Sequence, residues 1–406
     1  MAGPFEGIRV VDTTSMIAGP LATMMLGDQG ADIIKIERPG SGDHSREVAD
    51  RRNGWSASFL QNNRSKRSVA LDLKQDDGMA TLHAILRDAD VFVQNWRPGV
   101  AERLGLSEAD VRAIRPDIIY VSIAGFGFAG DWADRPVYDP LIQALSGLAA
   151  VQGQGSGRPH LVRTIVPDKV TALQASQAIA AALFARERTG HGEHVHISML
   201  DTVVAFLFAS DFSDQTFIGD EVQEKSWDDD NAGQDYVELI YETADGFMAV
   251  SAHTDATWRG LSQAVDRPEW LEDERFATVA AREQNKPARL QLTQEALRED
   301  TTASWMQRLA EHDVPCAPVL RRSEVVEHPQ VIANDTILKM DHPGAGAIRT
   351  PRPPARFDTF QPAPPAPARA LGADTRAVLS EAGYHGDALD ALFTSGAAAE
   401  PEAPRA

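Results

Sequence analysis

Cysteine is nearly absent: Cys316 is the single one in 406 residues. An intramolecular disulfide is therefore impossible, and no Cys/His set has zinc-ligand spacing. That usage suits a reducing compartment, and a cytoplasmic location is the expectation. Long apolar runs are missing too. No unbroken stretch could span a bilayer, and the N-terminus lacks a charged region followed by an apolar core. Neither export nor membrane insertion is expected. Positive charge is in deficit, with 39 Lys and Arg against 59 Asp and Glu and a formal net charge of −20. Nucleic acid, which favours a basic footprint, is a poor partner. A small anionic ligand is not excluded by that balance.

What is present is ordinary for a soluble globular protein: 43% hydrophobic and 24% charged residues. The length exceeds one compact domain, so two lobes are expected. Against the acidic background, basic residues concentrate early, at Arg46, Arg51, Arg52, Arg64, Lys66 and Arg67, then Lys74, Arg97 and Arg103. On charge alone this reads as a solvated face.

The first third alternates strand and helix patterns. Ile8 to Asp12 reads as a strand, Pro20 suits the first position of a helix over Leu21 to Leu26, and Asp32 to Glu37 is the next strand. Strands follow at Ser68 to Asp72, Val91 to Gln94 and Ile118 to Ile123, with helices over Met79 to Leu86 and from Ser107 through Ile114. This alternation predicts a parallel, wound sheet covered by helices. Lys169 to Arg188 is the clearest helix, and His194 to Ser198 a further strand.

The character changes near residue 225. An acidic loop at Asp228 to Asn231 precedes strands at Val237 to Tyr241 and Phe247 to Val250. Helical patterns follow near Trp258, over Arg289 to Leu297 and over Ser304 to Glu311. The expected organisation is an α/β large domain over 1–224, a smaller α+β domain over 225–320 and a C-terminal segment over 321–394 that returns to the large domain. Within that segment Pro351 to Pro367 should cross the surface extended, before a short helix near Thr375 to Ala382. A disordered tail over 395–406 completes the expected order.

Three motifs have plain readings. Gly125-Phe-Gly127-Phe-Ala-Gly130 matches a dinucleotide fingerprint after a strand, but Asp131 to Pro136 reads as a loop where a helix would have to open. His191, His194 and His196 lack an acidic or histidine partner at suggestive spacing, so a structural or surface role is expected. Cys316, between Pro315 and Ala317, reads as a packed small apolar residue. Asp168 stays open. Following Pro167 at the start of the alanine-rich helix, it suits an N-cap. The same helix end favours an ionised carboxylate that could attack an activated acyl group.

Several segments bear on that choice. They are Val11-Asp-Thr-Thr-Ser-Met-Ile-Ala-Gly-Pro-Leu-Ala-Thr-Met, Leu26-Gly-Asp-Gln-Gly-Ala-Asp-Ile-Ile-Lys-Ile-Glu-Arg-Pro-Gly and Ser41-Gly-Asp. Asn63-Arg-Ser-Lys-Arg-Ser-Val-Ala-Leu-Asp-Leu-Lys74 and Asp90-Val-Phe-Val-Gln-Asn-Trp-Arg-Pro-Gly99 follow. Tyr138-Asp139, Gln143-Ala-Leu-Ser-Gly147, Thr189-Gly-His-Gly, Ser198-Met-Leu-Asp201 and Leu371-Gly-Ala-Asp-Thr-Arg complete the set. In this order, over nearly the whole chain, they resemble the class III CoA-transferases, the family of formyl-CoA:oxalate and carnitine CoA-transferases.

The resemblance implies a large wound, Rossmann-like α/β domain closed by the C-terminal segment, a small domain, and two chains interlocked as rings in a homodimer. It implies that CoA moves from an acyl-CoA donor to a carboxylic acid acceptor, with CoA as substrate and no permanently bound cofactor or metal. By the same resemblance Asp168 is the nucleophile, forming an aspartyl anhydride and then an aspartyl-CoA thioester. The family's CoA contacts carry over to Ile17 and Ala18 in a loop, to Arg38, Leu71 and Lys74, and to Asn95, Trp96, Arg97 and Arg103. Tyr138 is the aromatic beside the active site and Met199 a residue near the reacting end.

Two departures stand out. Asn231-Ala-Gly-Gln-Asp is a poor match to the glycine loop that covers the site in formyl-CoA transferase, so oxalate is not implied as acceptor. Lysines that some relatives carry near Ala124 and Pro136 are absent. Two other readings remain. A 2-methylacyl-CoA racemase shares the fold but uses a histidine where this chain has Tyr138, and tyrosine, with a pKa of about 10, is a poor base. A non-catalytic CoA-binding protein would leave Asp168 as a cap only. The acids exchanged are not identified by the sequence.

Overall fold

The computed structural model describes residues 3–48, 50–153, 158–212, 215–219 and 239–401. Two compact units emerge, Met1–Ala232 together with Asp335–Ala406, and Gly233–Asn334.

Strand residues apolar on both faces build the first unit. β1 (Arg9–Asp12), β2 (Asp32–Glu37), the short hairpin β3 (Arg51–Arg52) and β4 (Trp55–Ser56), β5 (Lys66–Leu71), β6 (Val91–Gln94), β7 (Ile119–Ala124) and β8 (His194–Ser198) come in chain order. β7 is buried at every position, as a strand covered by helices on both faces must be. The main sheet runs β5-β2-β1-β6-β7-β8 with all of these pairs parallel. The chain starts at β1, winds outward through β2 and β5, then crosses back to β6 on the other side. The strand order therefore reverses between β1 and β6, and a crevice opens beyond their carboxyl ends.

Helices α1 (Ala18–Gly27), α2 (Ala57–Asn62), α3 (Asp76–Leu86), α4 (Val100–Arg103), α5 (Glu108–Ile114), α6 (Asp139–Leu145), α7 (Leu148–Gly153), α8 (Val166–Thr189) and α9 (Met199–Phe208) connect and cover the strands. α8 buries a stripe of Thr171, Ala172, Ala175, Ile179, Ala182 and Leu183. Its small residues allow α1 and the sheet to approach closely, and Ile179 packs in one core with Ile33, Val93 and Val121. Leu173 and Phe184, on its other side, are exposed.

Several expectations need correcting. α1 begins at Ala18, so Pro20 is its third residue and Ala18 is helical. α8 begins at Val166 with Pro167 in its first turn, three residues before the expected start at Lys169. Pro is tolerated there because the first amides of a helix have no carbonyl partner. The second unit continues beyond 320, through helices Arg322–Val325 and Pro329–Ala333, to Asn334. The expected tail is part of the fold as far as it is described. Ala398–Ala399 adds an antiparallel edge strand to β5, opposite Leu71 and Ala70, and Ala397 and Ala398 are buried.

The second unit holds a three-stranded antiparallel sheet, Ile240–Glu242, Phe247–Val250 and Cys316–Pro318, whose central strand is Phe247–Val250. Its core gathers Trp258, Trp270, Phe276 and Trp305. The expected strand at Val237 to Tyr241 begins outside the described residues and is found at Ile240–Glu242. The acidic loop at Asp228 to Asn231 lies outside the described residues.

Candidate active site

A cleft of about 300 Å³ lies where the sheet order reverses. Its walls are the segments leaving four adjacent strands: Thr13 to Ser15 after β1, Glu37 and Arg38 at the end of β2, Leu71 to Lys74 at the end of β5, and Trp96 after β6. Arg38 and Lys74 are exposed at the cleft, and Trp96 and Leu71 give it apolar surface. That combination fits a ligand carrying phosphates and a flat ring.

The loop between β1 and α1 leads from this cleft to Asp168. Every turn of it is held. Asp12 accepts from the Thr14 amide at 2.9 Å and the Thr14 hydroxyl at 2.5 Å. Asn95 accepts from the Ser15 amide at 3.0 Å and donates to the Ser15 carbonyl at 2.8 Å. Asp43 accepts from the Met16 amide at 3.1 Å, with Met16 in the left-handed region at φ 69°. Ile17 then occupies the cap position of α1 without a side-chain capping bond, since it has no polar atom to offer.

Asp168 supplies that partner. Its Oδ1 accepts from the Ala18 amide, the first of α1, at 3.2 Å. The expectation of an N-cap is corrected accordingly: Asp168 is the third residue of α8, whose own cap position is Ile165. Its carboxylate instead serves the amino end of α1, where the helix dipole favours negative charge. The Asp168 amide donates to Asp139 Oδ2 at 3.3 Å. Asp139, the first residue of α6, is buried, and its Oδ1 accepts from Gln143 Nε2 at 2.6 Å. Gln143 is tied in turn to the Val162 and Thr164 carbonyls, which brace the approach to α8.

Two carboxylates thus meet in a partly dry place. Burial, then the Asp139 charge, pushes the Asp168 carboxyl up to about 6, while the Ala18 amide and Lys169 pull the other way. Burial raises Asp139 as well, opposed by Gln143 and the Asp168 amide. A carboxylate raised to about 6 is still roughly nine-tenths ionised at pH 7, and is a stronger base and nucleophile than an ordinary one.

Beneath the loop sits a charged layer that sequence reading missed. Asp12, Lys35, Asp43 and Lys66 are all at or below 5% exposure. Lys66 bonds Asp12 at 2.8 Å, and Lys35 pairs with Asp43 at 2.9 Å. Burial opposes ionisation of Asp12, but Lys66 and Lys35 outweigh it and hold the carboxyl well below the usual range. Burial draws the Lys66 ammonium down to about 8 against the pull of Asp12. The basic cluster read as a solvated face is therefore divided: Lys66 and Arg64 are buried, Arg64 against buried Asp28, and half-buried Arg46 pairs with buried Glu37, whereas Arg51, Arg52, Lys74, Arg97 and Arg103 are exposed. The available signal was a charge set in an apolar strand, as in Asp32-Ile-Ile-Lys35-Ile.

The expected site residues do not form one cluster. Arg38, Leu71, Lys74 and Trp96 line the cleft; Ile17, Ala18 and Asn95 form or brace the loop to Asp168. Arg97 and Arg103 are exposed near α4 and are not among the cleft walls. Tyr138 is 68% exposed, one residue before Asp139. Met199 is buried against Phe126, Ile142 and Val203, so it packs the core here and does not face the cleft. Asp139, Asp43 and Thr13 to Ser15 were missed. The Asn231 to Asp235 segment lies outside the described residues.

The set-aside motifs keep plain roles. Gly125 leaves room for Val137, whose side chain a Cβ would meet at 2.1 Å, and no helix opens before Asp139. The His194 and His196 rings lie 3.8 Å apart, tilted by 33°, and burial, then His196, draws His194 down to about 4. Burial pushes the Cys316 thiol up, which makes it a poor nucleophile. Among the described residues no helix is long and apolar enough to cross a membrane, and no group of three possible metal ligands occurs.

A wound sheet with a phosphate-compatible cleft at its switch point, and a carboxylate bonded at the far end of the loop that leaves it, is an arrangement suited to group transfer. The profile of CoA-transferase family III matches residues 5–375, and the chain belongs to that family. It is 33% identical to the succinyl-CoA:glutarate CoA-transferase of Mus musculus, over 97% of this chain and 90% of that one. It is 30% identical to the formyl-CoA:oxalate CoA-transferase of Shigella sonnei, over 97% and 99% respectively. The crystal structure of a CAIB/BAIF family protein from Brucella suis superimposes with a TM-score of 0.83 at 28% identity, covering 94% of this chain and 100% of that one. The chain is accordingly a class III CoA-transferase, an enzyme whose substrates are an acyl-CoA and a carboxylic acid.

Proposed function

We propose that the chain transfers CoA between carboxylic acids through covalent intermediates on Asp168. The observation that carries this reading is the Ala18 contact: one short loop has its first residues in the cleft and its last amide on the Asp168 carboxylate. A CoA lying in the cleft, phosphates toward Arg38 and Lys74 and adenine against Leu71 and Trp96, would follow that loop to the nucleophile.

The steps balance without ATP or metal. An Asp168 oxygen attacks the thioester carbonyl, the C–S bond breaks, and CoA leaves as thiolate from a mixed anhydride. The thiolate attacks the aspartyl carbonyl, releasing the donor acid and leaving an aspartyl-CoA thioester. The acceptor carboxylate attacks the same carbonyl and expels the thiolate, which then takes the acceptor acyl group and frees Asp168. Each addition places charge on an oxygen, and amides at the start of α1 are the available donors.

Relatives are named for succinate, glutarate, formate and oxalate, so succinyl-CoA with glutarate is the first pair to test. An interlocked homodimer is part of the same reading. Incubation with succinyl-CoA, trapping with hydroxylamine and peptide mass mapping should place the hydroxamate on Asp168. Exchange of the α-proton with deuterated solvent, with no trapped adduct, would instead mean a racemase. Tight CoA binding with neither outcome would leave a binding protein.

A further inference from the structure

Asp43 does more than neutralise a buried lysine. Its Oδ1 accepts from the Met16 amide at 3.1 Å, the Ser45 amide at 2.8 Å and the Ser45 hydroxyl at 2.9 Å. Its Oδ2 meets Lys35 Nζ at 2.9 Å. Lys35 Nζ donates onward to the Thr14 carbonyl at 2.8 Å. One buried ion pair therefore grips the loop at two points, the Thr14 carbonyl and the Met16 amide. Between them the chain reverses, with Met16 at φ 69°. A non-glycine residue adopts that conformation only when its surroundings impose it. Two residues later comes the Ala18 amide, and its partner is Asp168.

The support is itself fixed. The Asp43 amide donates to Glu37 Oε1 at 2.9 Å, and Glu37 is clamped by Arg46 at 2.8 and 2.7 Å. Asp43 also lines the cleft with Thr13, Thr14 and Ser15. Asp43 thus touches both the cleft and the turn leading to the nucleophile.

We propose that Asp43, paired with Lys35, is a positioning residue: it imposes the left-handed turn at Met16 that aims the Ala18 amide at Asp168. This rests on the nucleophile assignment above. The charged groups acting on Asp168 are Asp139 from α6 and Lys169 on its own helix. α1 carries no charged residue, and Asp201 of α9 is exposed. Asp43 therefore acts through the amide, not through its own field.

The test compares Asp43→Asn, Met16→Pro and Arg186→Met with the wild type, using succinyl-CoA. Asn keeps an acceptor but turns an amide nitrogen toward Lys35. Pro removes the Met16 N–H and cannot adopt a positive φ. Arg186 pairs with Asp90 near the other end of α8, so its loss weakens the same helix without reaching the loop. Hydroxylamine-trapped adduct on Asp168 is followed in single turnover against pH, beside CoA affinity and melting temperature. In Asp43→Asn and Met16→Pro the trapping rate at saturating succinyl-CoA should fall about tenfold or more, with its acid midpoint moved up. Arg186→Met should melt earlier but keep both the rate and the midpoint.

A folded Asp43→Asn or Met16→Pro with wild-type rate and midpoint would overturn the positioning role. So would an equal loss of rate in Arg186→Met, which would make the effect one of stability alone. Should Asp43→Asn not fold, Met16→Pro decides between these outcomes. Absence of adduct on wild-type Asp168 would overturn the nucleophile assignment itself, a result distinct from either.

Discussion

The amide of Asp168 donates to Oδ2 of Asp139 at 3.3 Å, so the first turn of α8 is pinned by a second carboxylate at the first position of α6. The contact orients Asp168 and, through the nearby charge, helps lift its carboxyl to about 6, after burial as the larger cause. If the ionised form is the nucleophile, transfer should fall away as pH drops through about 6, instead of near 4 as for an ordinary aspartate. A pH profile of kcat/KM, read with a substrate that does not titrate there, checks this. An acid limb centred near 4 would count against a raised Asp168.

Asp139→Asn retains an oxygen for the Asp168 amide but removes the neighbouring charge. The acid limb should move down, by ~1 pH unit for a close like-charge pair. The wild-type and variant profiles measured in one buffer series suffice. An upward move would mean that Asp139 does more to hold the loop than to raise Asp168.

A raised carboxyl also carries a cost in stability. The folded chain holds the Asp168 proton more tightly than the unfolded chain does. The group therefore destabilises the fold fully above pH 6, and the penalty disappears as pH falls below about 4. Asp168→Asn should abolish transfer while stabilising the fold at pH 7.5 by ~1–3 kcal/mol, with the difference shrinking toward zero at pH 4. Urea midpoints at the two pH values measure it. Equal stability of variant and wild type at both would remove the strain from Asp168.

How much of this was legible in sequence depends on what each residue does. Apolar strands and their helical partners, such as Ile33, Val93 and Val121, announce themselves by pattern, and the parallel sheet followed from them. Asp168 could be singled out because a helix start is written locally, in Pro167 and the alanines after it. Its bond to Ala18 could not, although the resemblance names Ala18, since the two lie 150 residues apart and the contact is made by a backbone amide that any residue would carry. Lys66 and Arg64 looked like surface charges because composition does not say which aspartates they meet. That Met199 would be buried in a side-chain cluster with Ile142 and Val166 was not legible, because only the fold brings those helices together.

At the cleft, Arg38 and Lys74 are the exposed cations on the walls. Arg38→Ala and Lys74→Ala should each raise KM for the acyl-CoA about tenfold, the loss of one charge-assisted phosphate contact at ~1.4 kcal/mol, with kcat little changed. The wild-type KM should rise with added salt, and less steeply in either variant. Titrating both at two ionic strengths tests the assignment. A variant that lowers kcat and leaves KM alone would place that residue at the reacting end.

The C-terminal edge strand offers a last test. Ala397 accepts from the Asp72 amide at 2.9 Å, and Ala398 lies opposite Leu71, so the strand backs two residues of the cleft wall. Glu400 adds an ion pair to Arg376. Ending the chain at Thr394 would uncover the edge of β5 and free Leu71 and Asp72 to move. Melting temperature should drop by several degrees, corresponding to ~1–2 kcal/mol, and CoA should bind several-fold more weakly. Ala399→Pro, at the position opposite Ala70 whose amide the register turns toward β5, should reproduce part of both effects. Because Asp168 contacts neither residue, the acid limb of the rate profile should stay where it is. A shift in that limb would mean that the edge strand supports the nucleophile as well as the cleft.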